Sequence, residues 1–520
     1  MNPVSHTKNW LETLGAFKHP RVLTMLFFGI SAGLPILLIF SSLSLWLREA
    51  GVERAAVTYF SWAALGYSFK FVWAPLIDKL PLPFLTKWLG RRRAWLLFSQ
   101  LMIIVSITAM AFINPADDML VAMAWAAVLL GFSSATQDIA LDAYRIESAE
   151  VELQALMSST YIVGYRIAMI VAGAGALFLA SYFGSVDGHY QYEAWQKTYL
   201  IMASFMSIGV ITTLIISEPV VQKLDEQTYS AAHYLRFLLL FALSVTAFVV
   251  SFFFSSDIAQ IAKSSLNEWL HNANLAGFIV ELCRLGCALV FAALVAKLAV
   301  LSGLVDKRMV RQAYVAPVTD FFKRYGGSLA LLLLALIGLY RISDIVLGVM
   351  SNVFYYDLGF SKNEIATGVK AFGVVMSILG ALFGGVLTLR YGVMRILLVG
   401  AVLSSATNLL FMLLAQVGYD IPLLYVVVAA DNFSAGLASA AFIAFLSSLT
   451  NVSFTAMQYA IFSSLMTLFP KILGGYSGGM VNALGYETFF LFTALMGVPV
   501  MLLIMWAGKR FELNELKVKS

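Results

Sequence analysis

Residues 135–145 read ATQDIALDAYR, and Gln137, Asp138, Asp142 and Arg145 in this stretch can exchange protons, ions or hydrogen bonds. Asp138 and Asp142 are four apart, so on a helix they share a face. They come after the apolar run AWAAVLLGFSSATQ, and a carboxylate inside a bilayer costs a few kcal/mol even on insertion scales. More charges interrupt other apolar runs: Asp344 and Asp431 on the negative side, Lys70, Arg166, Arg341, Lys370 and Lys471 on the positive. Facing lipid is too costly, so they must face a bundle interior or a wet cavity. A carboxylate that gains and loses a proton as access changes can couple a process to protons, which makes Asp138, Asp344 and Asp431 the proton-coupling candidates. Cations from different segments converging on one cavity can hold an anion by charge-assisted hydrogen bonds. Lys70, Arg166, Arg341 and Lys370, joined by Gln137, Asn432, Gln458 and Tyr67, are the substrate-binding candidates. The i, i+3 spacing of Arg341 and Asp344 reads equally well as a structural ion pair. Asp142, near the end of its run, is expected to form a gate with Arg145 and the basic loop Arg91, Arg92 and Arg93, with Asp78 in the same lock. Arg166 is the expected partner of Asp138.

The elements that carry these residues must be membrane helices. The 520 residues are 60% hydrophobic and 12% charged, against about 25% charged in a soluble domain, and the mean hydropathy is +0.84. Apolar runs of about 20 to 28 residues recur almost end to end, predicting an all-α polytopic membrane protein of about 14 spans. They are 22–45, 55–77, 94–113, 119–143, 155–182, 196–217, 236–256, 276–302, 327–350, 362–388, 393–415, 421–449, 454–482 and 486–507. With both termini cytoplasmic, roughly 22 Lys and Arg fall in inside loops and about five outside, as the positive-inside rule requires. The net charge of +5 is therefore loop charge and implies no nucleic acid. The first 20 residues lack an apolar core and cleavage site and read as a cytoplasmic lead-in.

Two links repeat. WAPLIDKLPLPFLTKWLGRRR comes after span 2 and GGVLTLRYGVMR after span 10. Both are degenerate forms of the pattern Gly-x-x-x-Asp-Arg-x-Gly-Arg-Arg of the major facilitator superfamily. The first keeps Asp78, Lys79 and Gly90; the second keeps Gly385, Arg390, Gly392 and Arg395, with Leu389 in place of the acid. Their equivalent positions predict two six-helix halves, 1–217 and 327–520, related by an axis along the membrane normal. Residues 218–326 are then an inserted helix pair with cytoplasmic linkers, giving a 6+2+6 arrangement. Gly29 and Gly33 in span 1 and Gly380 and Gly384 in span 10 permit close helix contact, static or sliding. Cys283 and Cys287, one turn apart in an apolar run, read as packing residues.

Enzyme chemistry has little support. The five histidines lie in loops or at span ends, and no HExxH, GxSxG, P-loop or Cys/His cluster occurs. Channel filter repeats and a sensor domain are equally missing. The reading is a carrier that needs neither metal nor cofactor, with protons, the lipid bilayer and an anionic solute as partners, and a monomer is expected.

Several stretches together resemble the AmpG-type muropeptide permeases of the major facilitator superfamily: FFGISAGLP, YSFKFVWAPLIDK with GRRRAWL, ATQDIALDAYR, GYRIAMIVAGAGAL, YRISD, GVKAFGVVMSILGALFGG and FTAMQYAIFSSL. They run in order from about residue 22 to 507, omitting spans 7 and 8. The resemblance implies proton-coupled import of GlcNAc-1,6-anhydro-MurNAc peptides across the bacterial inner membrane for cell-wall recycling. Such ligands carry several carboxylates, in keeping with the basic residues. In that pattern Lys70, Gln137, Asp138, Asp142, Gly164, Arg166, Asp344, Lys370 and Gln458 fall on matching positions, Gly164 being added to the packing glycines. Asp431 stands where a glutamate is expected and Arg341 where a lysine is, while MTLFPKILGG around Lys471 departs from the pattern. The family also includes acetyl-coenzyme A transporters, the nearest alternative. Proton-dependent oligopeptide carriers share the 6+2+6 layout, but span 1 here lacks their ExxER cluster.

Overall fold

The computed structural model describes residues 15–53, 60, 65–117, 119–185, 189–220, 229–271, 273–361 and 364–519. They are almost entirely helical, and thirteen segments among them are long and apolar enough to cross a membrane. The chain is thus a polytopic membrane protein. Tertiary contacts divide it into two units.

The first unit gathers Met1–Ile77, Pro81–Gln222 and Phe321–Ser520. Its N-terminal half comprises α1 (Pro20–Ile39), α2 (Ser41–Glu49), α3 (Leu65–Phe69), α4 (Ala74–Lys79), α5 (Leu85–Leu89), α6 (Arg91–Ala111), α7 (Leu120–Ser148), α8 (Val151–Ile170), α9 (Ala176–Tyr182), α10 (Tyr192–Phe205) and α11 (Ser207–Ile215). Much of span 2, residues 55–59 and 61–64, lies outside the described residues. The remainder of that span is not one helix: a 3-10 turn, Lys70–Val72, separates α3 from α4. A π-helical turn at Val171–Gly175 joins α8 to α9. Trp46 stacks on Trp195 at 5.7 Å in the core of this half, among Leu38, Ile107, Met110 and Tyr199.

The second unit holds α12 (Ala231–Phe254), α13 (Ser256–Leu270), α14 (Ala273–Leu301) and α15 (Lys307–Val310), within Lys223–Asp320. Between spans 7 and 8 the hydropathy pattern predicts an outer loop. The structure instead has α13, which packs on α14 and is tied to it by Lys263 Nζ to Glu281 Oε1 at 2.6 Å. Cys283 and Cys287 are free and exposed on α14, not packed in a core. They line an open cleft of about 410 Å³ with Ser251, Ala259 and Phe291.

The C-terminal half contains α16 (Ala316–Leu339), α17 (Ile342–Asp357), α18 (Gly373–Tyr391), α19 (Val393–Val417), α20 (Ile421–Leu449), α21 (Thr455–Gly474) and α22 (Ser477–Lys519). Gly326, at φ 71°, breaks α16. Gly485, at φ 74°, breaks α22. A residue with a Cβ pays a steric penalty at such angles. Span 13 ends at Gly474, short of the expected 482. A π-helical stretch, Ile365–Phe372, leads into α18. Phe354, Phe411, Phe442 and Phe490 centre this half's core.

Glycines set the closest helix pairs. A Cβ on Gly29, Gly33 or Gly164 would stand 2.2, 2.4 or 2.0 Å from the carbonyl oxygens of Tyr161, Tyr165 or Leu26, so α1 and α8 touch backbone to backbone. Gly380, Gly384 and Gly436 do the same for α18 and α20, at 2.0, 2.6 and 2.2 Å from Phe433, Leu437 and Ser377 oxygens. The two halves meet chiefly through α8 on α18 and α20, and through α21 on α3 and α7.

Candidate substrate and gate site

The end of α7 carries a buried ionic cluster. Arg145 is fully buried. It holds Asp142 Oδ1 at 3.2 Å and donates to Ser158 Oγ at 3.1 Å. In the other half it donates to Ser447 Oγ at 2.8 Å and lies 5.2 Å from the Tyr459 ring centroid. A buried guanidinium needs several such partners to offset its desolvation; only its Nε is buried without one among the described residues. The other Asp142 oxygen lies 3.5 Å from Lys70 Nζ, which the 3-10 turn after α3 delivers to this spot.

The basic loop does not join Asp142 as expected. Arg92 forms a two-pronged pair with Glu147, at 2.9 and 2.6 Å. Glu147 in turn accepts a hydrogen bond of 2.8 Å from Thr455 Oγ1 of the C-terminal half. Arg93 spends its guanidinium on the carbonyls of Thr213 and Leu214, at 3.0 and 2.8 Å. The backbone N–H groups of Arg92 and Arg93 donate to Glu218 at 2.7 and 3.0 Å, an acidic cap on the first turn of α6. Arg91 is half-buried as the first residue of α6, and Asp78 is buried in the last turn of α4. Glu147, Ser158, Ser447, Thr455 and Tyr459 join this candidate site although the sequence did not single them out. Only Glu147 left a signal: it is an acid placed next to the end of span 4, on the membrane face to which Arg91–Arg93 were assigned.

Asp138 lies one turn deeper and is half-buried, with Oδ1 enclosed and without a hydrogen-bond partner among the described residues. The charges it senses are Lys70 and Asp142. Its charge is felt in turn by the phenols of Tyr67, Tyr161 and Tyr165, and Tyr67 donates to Ser134 Oγ at 2.6 Å. Arg166 is not its partner. That side chain meets Met169 Sδ at 3.8 Å and senses Arg341 across the halves.

A second acidic cluster belongs to the C-terminal half. Arg341 Nη2 is 3.6 Å from Asp344, which also accepts a hydrogen bond from Ser404. Asp431 accepts from Thr407 at 3.5 Å and, although isolated in sequence, senses both Asp344 and Arg341. Asn432 donates to the Val428 carbonyl at 3.0 Å. Lys370 is exposed on the π-helical stretch, and Lys471 is exposed in the last turns of α21. The two glutamines sit elsewhere: Gln137 accepts from Ser31 at 2.8 Å between α1 and α7, and Gln458 accepts from Arg324 and the Asn451 N–H at 3.0 and 2.8 Å. Among the described residues no group of His, Cys, Asp and Glu could hold a metal ion.

Comparison with known proteins bears on this arrangement. The Major Facilitator Superfamily profile matches residues 332–516, and the profile of Acetyl-coenzyme A transporter 1 matches residues 21–240. A putative transporter AmpG 4 of Rickettsia felis is 28% identical over 494 residues, 95% of this chain and 98% of its own. The anhydromuropeptide permease of Escherichia coli K12 is 29% identical over 502 residues, 96% of this chain and 82% of its own. Among solved structures, the proton:xylose symporter XylE superposes with a TM-score of 0.56 at 13% identity, covering 96% of each chain. The E. coli fucose:proton symporter FucP does so at 0.58 and 11% identity, covering 95% of this chain and 99% of its own. The chain therefore has the major facilitator superfamily fold and is related over nearly its whole length to AmpG-type permeases; it is a transporter, not an enzyme.

Proposed function

We propose that this transporter imports GlcNAc-1,6-anhydro-MurNAc peptides from the periplasm to the cytoplasm, with protons, by rocking its two halves about a central site. The observation that carries the reading is the near full-length relationship to the anhydromuropeptide permease of E. coli. The cations Arg166, Arg341 and Lys370 on elements of both halves support it, because the proposed substrate carries several carboxylates. The proposed location is the inner membrane with both termini cytoplasmic. The end of α7 and the start of α8, from Arg145 to Gln154, then lie on the cytoplasmic side, where Arg145–Ser447 and Glu147–Thr455 join the halves. These two contacts are the proposed cytoplasmic gate and must break for release.

Asp138 is the preferred proton carrier. It shares Lys70 with Asp142, and Asp142 holds Arg145. Protonating Asp138 leaves Lys70 to Asp142 alone, so the proton's presence reaches the gate through two contacts. Asp344 and Asp431 form a second candidate pair.

The test is uptake of labelled GlcNAc-anhydro-MurNAc tripeptide into proteoliposomes, with and without an inward proton gradient. Accumulation that an uncoupler abolishes supports the reading. Equilibration without accumulation removes the proton, and no uptake by folded protein removes the substrate. The acetyl-coenzyme A transporter match over residues 21–240 favours a second reading, another anionic solute, tested by replacing the tripeptide with acetyl-coenzyme A.

A further inference from the structure

The chain that leads from the inserted helix pair into the C-terminal half ends in a side-chain bracket. From Phe321 onward it belongs to the first unit, so the last turn before the break at Gly326 is packed structure and not free linker. Phe321 is buried and meets Phe462 of α21, with ring centroids 5.2 Å apart. Tyr325 closes the slot at 5.1 Å from Phe321 and lies 5.1 Å beneath the Arg324 guanidinium. Arg324 is exposed, yet its Nη2 donates to the Leu449 carbonyl at 3.1 Å and to Gln458 Oε1 at 3.0 Å. Leu449 is the last residue of α20, where carbonyls lack partners within the helix and a cation meets the negative end of its dipole.

Gln458 is buried in the first turn of α21, and the same Oε1 accepts the Asn451 N–H at 2.8 Å. Asn451 in turn caps the 3-10 turn Val452–Phe454, its Oδ1 accepting the Ser453 N–H at 3.0 Å. The loop between α20 and α21 is thus pinned at both ends by one guanidinium and one amide. That loop joins the two contacts between the halves. Ser447, two residues before Leu449, accepts from Arg145 at 2.8 Å. Thr455, three residues before Gln458, donates to Glu147 at 2.8 Å and to the loop's own Val452 carbonyl at 2.9 Å.

Resting on the proposed cytoplasmic gate, we propose that Arg324 is a positioning residue for it. Docked on Leu449 and Gln458, it holds the α20–α21 loop in the shape from which Ser447 and Thr455 reach Arg145 and Glu147 together. Its release loosens both gate contacts at once, with no change in the gate residues themselves. The chain before Gly326 is then a latch and not a tether: the docking of Phe321–Tyr325 matters, and the length of chain ahead of it does not. Because Arg324 is exposed, the latch is reached from water and can let go while the cores stay packed.

The experiment reads gate opening on the opposite half, where local loosening around Arg324 does not register. A cysteine replaces the buried Ala155 of α8, whose carbonyl oxygen lies 3.2 Å from the place of a Gly385 Cβ, and Cys283 and Cys287 are replaced by serine. The rate of thiol labelling by a hydrophilic reagent is measured on the full chain in lipid nanodiscs. Arg324→Gln and Gln458→Met should each raise that rate roughly tenfold, the order that a hydrogen bond to a charged group contributes. Arg324→Lys, which keeps the charge without the planar fork, should raise it less. Thr455→Val removes a gate contact directly and should match Arg324→Gln. The two combined should go no further than the stronger one alone, because both act through the same contacts. A flexible Gly-Ser segment inserted after the turn residue Gly303 should leave the rate at the parent value. A rise with Thr455→Val but none with Arg324→Gln overturns the latch and leaves the gate standing. Effects that multiply in the combined variant overturn the latch, and so does an insertion that acts like Arg324→Gln, which makes the chain a tether. No rise in any variant overturns gate and latch together.

Discussion

At the scale of single residues, the two aspartates of ATQDIALDAYR have different surroundings and should fail differently. Asp138 has an enclosed oxygen without a hydrogen-bond partner among the described residues, whereas Asp142 is held by Lys70 and Arg145. Asp138→Asn keeps the shape and removes the titrating proton, so gradient-driven accumulation should vanish while exchange of internal for external substrate persists. Accumulation by Asp138→Asn equal to that of the unaltered protein would transfer the role to Asp344 or Asp431. Glu147 belongs to the proposed gate from the other direction. Glu147→Gln leaves Arg92 buried beside an amide, and removing one partner of a buried ion pair costs about 3–5 kcal/mol. The variant should unfold at lower temperature and, with the exposed Cys283 and Cys287 replaced by serine, expose the α7–α21 seam more often to thiol labelling of a cysteine placed at the buried Ala460; unchanged labelling would take Glu147 out of the gate. The sequence revealed that the buried charges matter, because a membrane makes each one conspicuous. Their partners could not be read in the same way. Arg92 was free to choose between Asp142 and Glu147, both at the end of one helix, and only the packing of α4, α6 and α7 decides between them.

At the scale of elements, glycine placement is the strongest constraint, since van der Waals packing drives helix association in lipid. Gly164→Leu and Gly380→Leu drive side chains into carbonyl oxygens that a bare Cβ would already approach to 2.0 Å. Both should lower expression of folded protein and its thermal midpoint sharply. Gly286→Ala meets nothing within 4 Å on α14 and should be neutral or mildly stabilising, given the helix preference of alanine over glycine. A Gly164→Leu protein as stable as the parent would contradict the contact between α1 and α8. Helix positions were legible because runs of apolar residues long enough to span a bilayer have few other readings. Their interruptions were not. The 3-10 turn at Lys70–Val72, the π-helical stretches at Val171–Gly175 and Ile365–Phe372, and α13 all sit in sequence that a hydropathy window averages away. The first of these has a direct consequence for the site, since it delivers Lys70 to Asp142. Two of the glycines that break helices, Gly326 and Gly485, are visible only through their positive φ.

At the scale of the whole transporter, the proposed alternating access requires the seam at Ile162, Ala381 and Ala440 to open once in each cycle. The seam is small-residue contact flanked by a few polar bonds, Arg145 to Ser447 and Glu147 to Thr455. Such contacts can break without leaving large apolar surfaces in water, unlike the aromatic cores that hold each half together around Trp46 and Phe354. The halves should therefore move as bodies and the seam should separate. A cysteine at Ile162 and another at Ala440, with Cys283 and Cys287 replaced by serine, tests this directly. A short bifunctional thiol reagent should link the pair readily in the ligand-free protein and abolish uptake in proteoliposomes, and a cleavable version of the reagent should restore uptake on reduction. Each single cysteine variant, treated the same way, should retain transport. If the doubly linked protein still accumulates substrate, the halves do not part at this seam, and the gate assigned to Arg145 and Glu147 loses its function along with it.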